Sequence, residues 1–143
     1  MVVSQTALTP SAWLVGNSDL LPRGGRVLDV ACGKGRHALW LAARGFEVHA
    51  IDRDGDAIAE MTERARRAQL HVRADVIDLE TDPPPDLGAS DYDVVLGFNY
   101  LHRPLMAAIQ AAVKPGGRLF YETFTTRQAE RGRPRNPAFL LQE

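Results

Sequence analysis

The sequence holds a single cysteine, Cys32, which excludes an internal disulfide and any multi-cysteine zinc site. Lysine is nearly absent: Lys34 and Lys114 are the only two, and arginine supplies the rest of the cationic charge. Acids and bases almost cancel, giving a formal net charge of −1, so no global field gathers nucleic acid or an anionic membrane. No apolar run approaches the ~20 residues needed to cross a bilayer. The opening Met1-Val2-Val3-Ser4-Gln5-Thr6 has neither the basic start nor the apolar core of a signal peptide, so a reduced, cytoplasmic protein is expected. No internal repeat and no second domain is visible, and 143 residues are one domain's worth, expected over 1–143.

What is present is alternation. Short apolar stretches alternate with helical patterns, as in a parallel α/β sheet. The strands are expected at 26–31, 46–51, 71–76, 92–98 and 118–124, the third being the weakest. The first helix carries Ala38, Leu41, Ala42 and Gly45 on one face, and Gly45 is placed to end it. The second buries Ile58, Met61, Ala65 and Ala68. Pro104 can open a third helix lined by Leu105, Ala108, Ile109, Ala112 and Val113, which Lys114-Pro115-Gly116-Gly117 breaks. Asp82-Pro83-Pro84-Pro85-Asp86 reads as a surface loop, and Phe139-Leu140-Leu141 as the start of a last helix.

Asp29 is the first residue that speaks of function. It lies at the carboxyl end of an otherwise apolar strand, where a buried charge is costly without a partner. In doubly wound sheets the ligand crevice lies at those strand ends. The turn Gly33-Lys34-Gly35 lets a ligand approach the backbone and opens onto a helix N-terminus. Asp52 closes the second strand, where a dinucleotide fold places the carboxylate that holds ribose hydroxyls. Together these describe a site for an adenosine-containing ligand.

Gly33-x-Gly35-x-x-Ala38 also satisfies the dinucleotide fingerprint, a weak signal alone. Asp29 argues against it. A pyrophosphate beside that carboxylate would be repelled by several kcal/mol at ~4 Å and intermediate dielectric. A ligand carrying an ammonium and a sulfonium would be attracted, and S-adenosylmethionine is such a ligand.

Val27-Leu28-Asp29-Val30-Ala31-Cys32-Gly33-Lys34-Gly35 resembles motif I of the class I S-adenosylmethionine-dependent methyltransferases. Asp93-Val94-Val95-Leu96 is similar to their fourth strand, and Val113-Lys114-Pro115-Gly116-Gly117-Arg118-Leu119 to their entry into the fifth. The resemblance covers residues 22–125, and the three motifs together are far more specific than motif I alone. Asn99-Tyr100-Leu101-His102-Arg103-Pro104 and Gly132–Leu141 resemble the small type 11/12, tellurite-resistance-like bacterial members.

The resemblance implies a Rossmann-like, doubly wound sheet and cofactor contacts at Asp29, Ala31, Gly33, Gly35, Asp52, Arg53, Asp78, Leu79 and Asn99. Asp29, Gly33 and Gly35 would hold the methionine end and Asp52 the ribose. Asp78 matches the acid at the adenine amine better than Asp75, and the backbone at Phe98-Asn99 would close the site beneath the amino acid.

Blander readings stand beside these. Asp52 can instead cap the following helix. Cys32 reads as packing, because a neighbouring carboxylate raises a thiol pKa. Arg36 and His37 read as solvated, and Trp40 as packing. His102 is the general-base candidate, with Tyr100 and Arg103 shaping an acceptor pocket. Asn99-Tyr100 lacks the proline pair of the amino-methylating nucleic-acid enzymes. Arg127, Arg131, Arg133 and Arg135 read as a solvated loop, with an anionic acceptor as the alternative.

The family normally carries seven strands, and five are counted here, without the closing antiparallel hairpin. That would leave the fifth strand as an apolar edge, through which a homodimer could form. A shortened form and a degenerate relative are the other two outcomes. The expected function is methyl transfer from S-adenosylmethionine to a small molecule. A non-catalytic cofactor-binding or interaction module is the alternative, and a nicotinamide-dependent oxidoreductase a distant third.

Overall fold

A computed structural model describes residues 9–125 and 141. Five strands form one parallel sheet: β1 (Arg26–Val30), β2 (Glu47–Asp52), β3 (Val72–Val76), β4 (Tyr92–Phe98) and β5 (Val113–Glu122). Their order is β3-β2-β1-β4-β5. The chain therefore winds outward from β1 to β3 and restarts on the other side of β1 with β4. The ends of β1 and β4 flank that reversal, where doubly wound sheets place their ligand crevice.

Helices α1 (Ala12–Gly16), α2 (Arg36–Ala43), α3 (Gly55–Arg67) and α4 (Met106–Ala112) cover the sheet, with short 3₁₀ turns at Ser18–Leu20 and Arg103–Leu105. α2 and α3 bury Ala38, Leu41, Ile58 and Met61 against Val27, Val48, Ala50, Val94 and Leu96 on one face. On the other, Leu105, Ile109 and Ala112 pack on Leu28, Val30 and Val95. Central strands buried on both faces read as unbroken apolar runs, which is why β1 and β4 are easy to place from sequence. No helix among the described residues is long and apolar enough to cross a membrane.

Several boundaries differ from expectation. β5 begins at Val113, expected on the helix face, because that residue pairs with Tyr92 across an irregular register. It ends at Glu122, leaving Thr123 and Phe124 beyond the strand. Ala68 is exposed rather than on the buried stripe of α3. α1 has no counterpart in the sequence reading; Leu14 buries completely, and the Trp13 ring meets Phe98 and Phe120 at about 6 Å. Leu141, expected to open a helix, makes an isolated parallel bridge to Thr125. Phe139, Leu140 and the arginines at 127, 131, 133 and 135 lie outside the described residues. No antiparallel strand is found among the described residues, and β5 is the outer strand there, with Leu119 exposed.

Candidate functional site

Immediately after β1 and β4 the chain turns through the left-handed region at Ala31 (φ 55°) and Asn99 (φ 54°). Non-glycine residues hold that conformation at a cost, and such strain gathers at functional sites. Both residues line two cavities, of about 340 Å³ and 420 Å³, which make the two lobes of one cleft across the strand ends.

The smaller lobe is lined by Asp29, Cys32, Gly33, Lys34, Arg36, His37 and Phe98 besides the shared pair. Asp29 is 2% exposed, and its Oδ2 is buried with no hydrogen-bond partner. Burial pushes its carboxyl up to about 7; an Ala38 backbone bond and Arg36 pull the other way, and Asp52 adds to the rise. Gly33 (φ 56°) and Gly35 (φ 85°) carry the turn. A Cβ on Gly35 would collide with Met61 Sδ, so the turn packs tightly on α3, whereas one on Gly33 would meet nothing within 4 Å. Gly33 thus leaves room on the ligand side.

Asp52 joins the lobes. Its Oδ2 accepts the Gly33 N–H at 2.8 Å and its Oδ1 the Asp54 N–H at 2.9 Å. The cap of α3 is Asp54, which accepts from Asp56 and Ala57, so Asp52 faces the cleft instead. Arg53, Leu79, Glu80, Tyr100, Leu101, Thr123 and Phe124 line the rest of the larger lobe. Asp78 does not line it: the side chain is exposed and accepts the Glu80 N–H at 2.9 Å. Asp75 is held by His49 and Arg73 at 2.7 and 2.9 Å.

Tyr100 presents a buried hydroxyl without a partner, and its backbone carbonyl accepts from Tyr121 Oη. Burial and the Glu80 charge push the Tyr100 hydroxyl pKa far up, which makes it a donor and not a base. His102 Nδ1 sits 3.4 Å from Glu80 Oε1 and does not line the cleft. Arg103 is exposed and opens the 3₁₀ turn before α4.

His37 and Arg36 correct the sequence reading. Both line the smaller lobe, and His37 is 3% exposed, stacked on Phe98 at 4.0 Å. Its Nε2 accepts the Ser11 N–H at 3.1 Å, while Ser11 Oγ donates to Glu122 at 2.9 Å. Burial, then Arg36, lowers its pKa to about 4, so the ring is neutral. Arg36 donates to the Thr9 carbonyl at 3.4 Å. Cys32 is buried, and burial followed by Asp29 pushes its thiol well up, as expected of a packing residue. Trp40 is half-buried under Arg44. Glu80, Thr123 and Phe124 are cleft residues that no sequence motif marked.

Comparison with known proteins follows the same lines. A family described as "Methyltransferase domain" matches residues 27–117, spanning the three motifs. The ribosomal protein L11 methyltransferase of Methylococcus capsulatus is 35% identical over 112 residues, covering 76% of this chain and 36% of that protein. Hemagglutinin 1 of Eikenella corrodens is 33% identical over 99 residues, 64% of this chain and 32% of that one. The chain thus spans about a third of the length of these curated relatives. The TehB-like S-adenosylmethionine-dependent methyltransferase of Corynebacterium glutamicum superimposes with a TM-score of 0.62 at 25% identity, covering 73% of this chain and 58% of that one. This chain belongs to the class I S-adenosylmethionine-dependent methyltransferase family.

Proposed function

We propose that the chain is a single domain that binds S-adenosylmethionine and transfers its methyl group to a small-molecule acceptor. The observation that carries this reading is the buried Asp29 carboxylate, whose Oδ2 lacks a protein partner inside a lobe that also presents Arg36 and Lys34. A buried anion and adjacent cations complement an amino acid zwitterion, and a ligand ammonium supplies the partner that the fold withholds.

The larger lobe suits the nucleoside. Each Asp52 oxygen already accepts one backbone N–H and keeps lone-pair capacity for ribose hydroxyls. Leu79 gives an apolar wall for the base. A pyrophosphate over the Gly33–Gly35 turn would face Asp29 and Asp52 together, which disfavours a dinucleotide.

When bound, the cofactor supplies a methyl on a sulfonium, already a good leaving group. Positioning then accounts for most of the acceleration asked of the protein. His102 is turned to Glu80 and Tyr100 holds its proton, so no side chain is assigned as base. That favours an acceptor whose attacking lone pair is free at neutral pH; a chalcogen oxyanion, suggested by the tellurite-resistance-like resemblance, is of that kind.

The test is calorimetric titration of the purified chain with S-adenosylhomocysteine and, separately, NAD, followed by methyl transfer from labelled S-adenosylmethionine to an acceptor panel that includes tellurite. Micromolar binding of the adenosyl ligand, silence with NAD and labelled product are expected. A folded chain that binds no adenosyl ligand overturns the proposal. Binding with no transfer to any acceptor would leave the non-catalytic cofactor-binding module instead.

A further inference from the structure

β5 is blunted along its first half and open along its second. Lys114, Pro115, Gly116 and Gly117 occupy the first half, where Pro115 has no N–H to offer and Gly116 turns into the left-handed region at φ 79°. Charge, proline and a broken backbone are the devices by which natural sheets discourage pairing at an edge. Residues 118–122 carry only the charges of Arg118 and Glu122. β5 is nevertheless the outermost strand among the described residues, and Arg118 and Leu119 are exposed. Leu141 meets the chain past the end of the strand, at the Phe124 carbonyl.

The hydrogen bonds of β5 fix which groups face outward. The Glu122 carbonyl accepts the Asn99 N–H, so the main-chain groups of Arg118, Phe120 and Glu122 turn towards β4. Those of Leu119 and Tyr121 point away from the sheet. An antiparallel strand added at this edge must bond to them, and in a self-pairing the two-fold axis then passes through a residue. Centred on Phe120, the pairing sets Leu119 against Tyr121 of the second copy and Arg118 against Glu122 of the second copy. Centres one residue to either side set Arg118 against Phe120 or Phe124 instead. Arg118 forms no ion pair with a described residue, and Glu122 commits Oε1 to the Ser11 hydroxyl while Oε2 keeps its lone pairs.

We infer that β5 is a self-association edge, where two copies of this chain pair antiparallel through residues 118–122 about a two-fold axis at Phe120, with Arg118 of each opposite Glu122 of the other. Symmetry makes each favourable contact twice. Leu119 and Tyr121 supply the cross-strand apolar pair on one face of the joined sheet. On the other, the exposed Trp13, whose ring lies 6.0 Å from Phe120, gains cover. Because the paired strands run in opposite directions, the two ligand clefts open at opposite ends of the joined sheet and neither is blocked. The inference therefore stands apart from the cofactor reading.

The experiment is sedimentation velocity of the full chain over a concentration series, with thermal melts of each variant. The native chain is expected to rise from 15.7 kDa towards twice that mass as its concentration increases. Arg118→Glu sets acid against acid on both sides of the axis and should weaken association about tenfold or more. Glu122→Arg should do the same with base against base. Mixed in equal amounts, the two variants recover opposite charges across the pair and should associate about as tightly as the native chain. A folding defect in either variant would not be repaired by mixing.

A native chain that stays at 15.7 kDa up to its highest soluble concentration overturns the inference. Native-strength association by Arg118→Glu also overturns it, since the contact would then lie on another surface. So does a mixture that remains monomeric while both variants keep native melting transitions. If Glu122→Arg melts early through the loss of its Ser11 bond, the Arg118→Glu result decides alone.

Discussion

The two ends of the sheet carry cavities of equal size, about 420 Å³ for the larger lobe and the same for a pocket at the strands' amino ends. The amino-end pocket looks the richer, with Arg26, Glu47, His49, His71, Arg73 and Tyr92 around it. Yet its central groups close on one another. His49 uses Nδ1 on Tyr92 Oη at 2.8 Å and Nε2 on Asp75 at 2.7 Å, Arg73 holds the same carboxylate, and Arg26 lies over the Tyr92 ring. At the carboxyl end, Asp29 Oδ2 and Tyr100 Oη are buried and unmatched. Volume and charge therefore do not separate the two ends of the sheet; unmet hydrogen-bonding capacity does.

That contrast sets the largest expected effect. Asp29→Ala should cost about 100-fold or more in affinity for S-adenosylhomocysteine, the scale of removing one member of a buried charge pair. Its unfolding free energy should not fall, since burial of that carboxyl costs the empty protein more than its Ala38 backbone bond returns. Titration and urea unfolding of the same sample measure both. A loss of stability with retained affinity would reverse the roles assigned to the two ends.

His49→Ala is the mirror experiment, with a smaller effect. It leaves Tyr92 Oη and Asp75 short of a partner and should cost about 1–3 kcal/mol of stability. Ligand affinity should stay within error of native. A fall in affinity with intact stability would mean that the amino-end pocket has a binding role of its own.

The carboxyl end was the more legible of the two in the sequence, for a physical reason. Asp29, Gly33, Gly35 and Asp52 stand out because each breaks a local rule: a charge in an apolar run, glycines at a helix start, an acid at a strand end. Two buried central strands gave unbroken apolar runs, so β1 and β4 were placed to within a residue. β3 read weakly because Arg73 and Asp75 face the His49 cluster rather than a covering helix. What escaped was set by tertiary contact. His37 looked like a solvated first-turn residue until α1 and Ser11 folded over it. Val113 fitted a helical stripe, but pairing with Tyr92 outweighed that period. Glu80 sits two residues past Asp78, and only the path of the chain decides which acid enters the cleft.

The finest test of the comparison is pH. Asp29 has its carboxyl raised to about 7 when folded, against about 4 for an unfolded chain. The folded, ligand-free protein therefore holds a proton between those values that the unfolded chain has released. Stability that is present at pH 4 should decline as pH rises towards 7, by at most about 1.4 kcal/mol per unit from this group, and then level off. Ligand binding should move in the opposite sense. A ligand ammonium needs the ionised carboxylate, so affinity for S-adenosylhomocysteine should climb up to about tenfold per pH unit below 7 and flatten above it. Asp29→Asn should lose both slopes, while His49→Ala, which alters only the self-satisfied end, should keep them. If the native protein and the Asp29→Asn variant share one pH dependence, Asp29 takes no part in charge recognition, and the distinction between the two ends of the sheet falls with it.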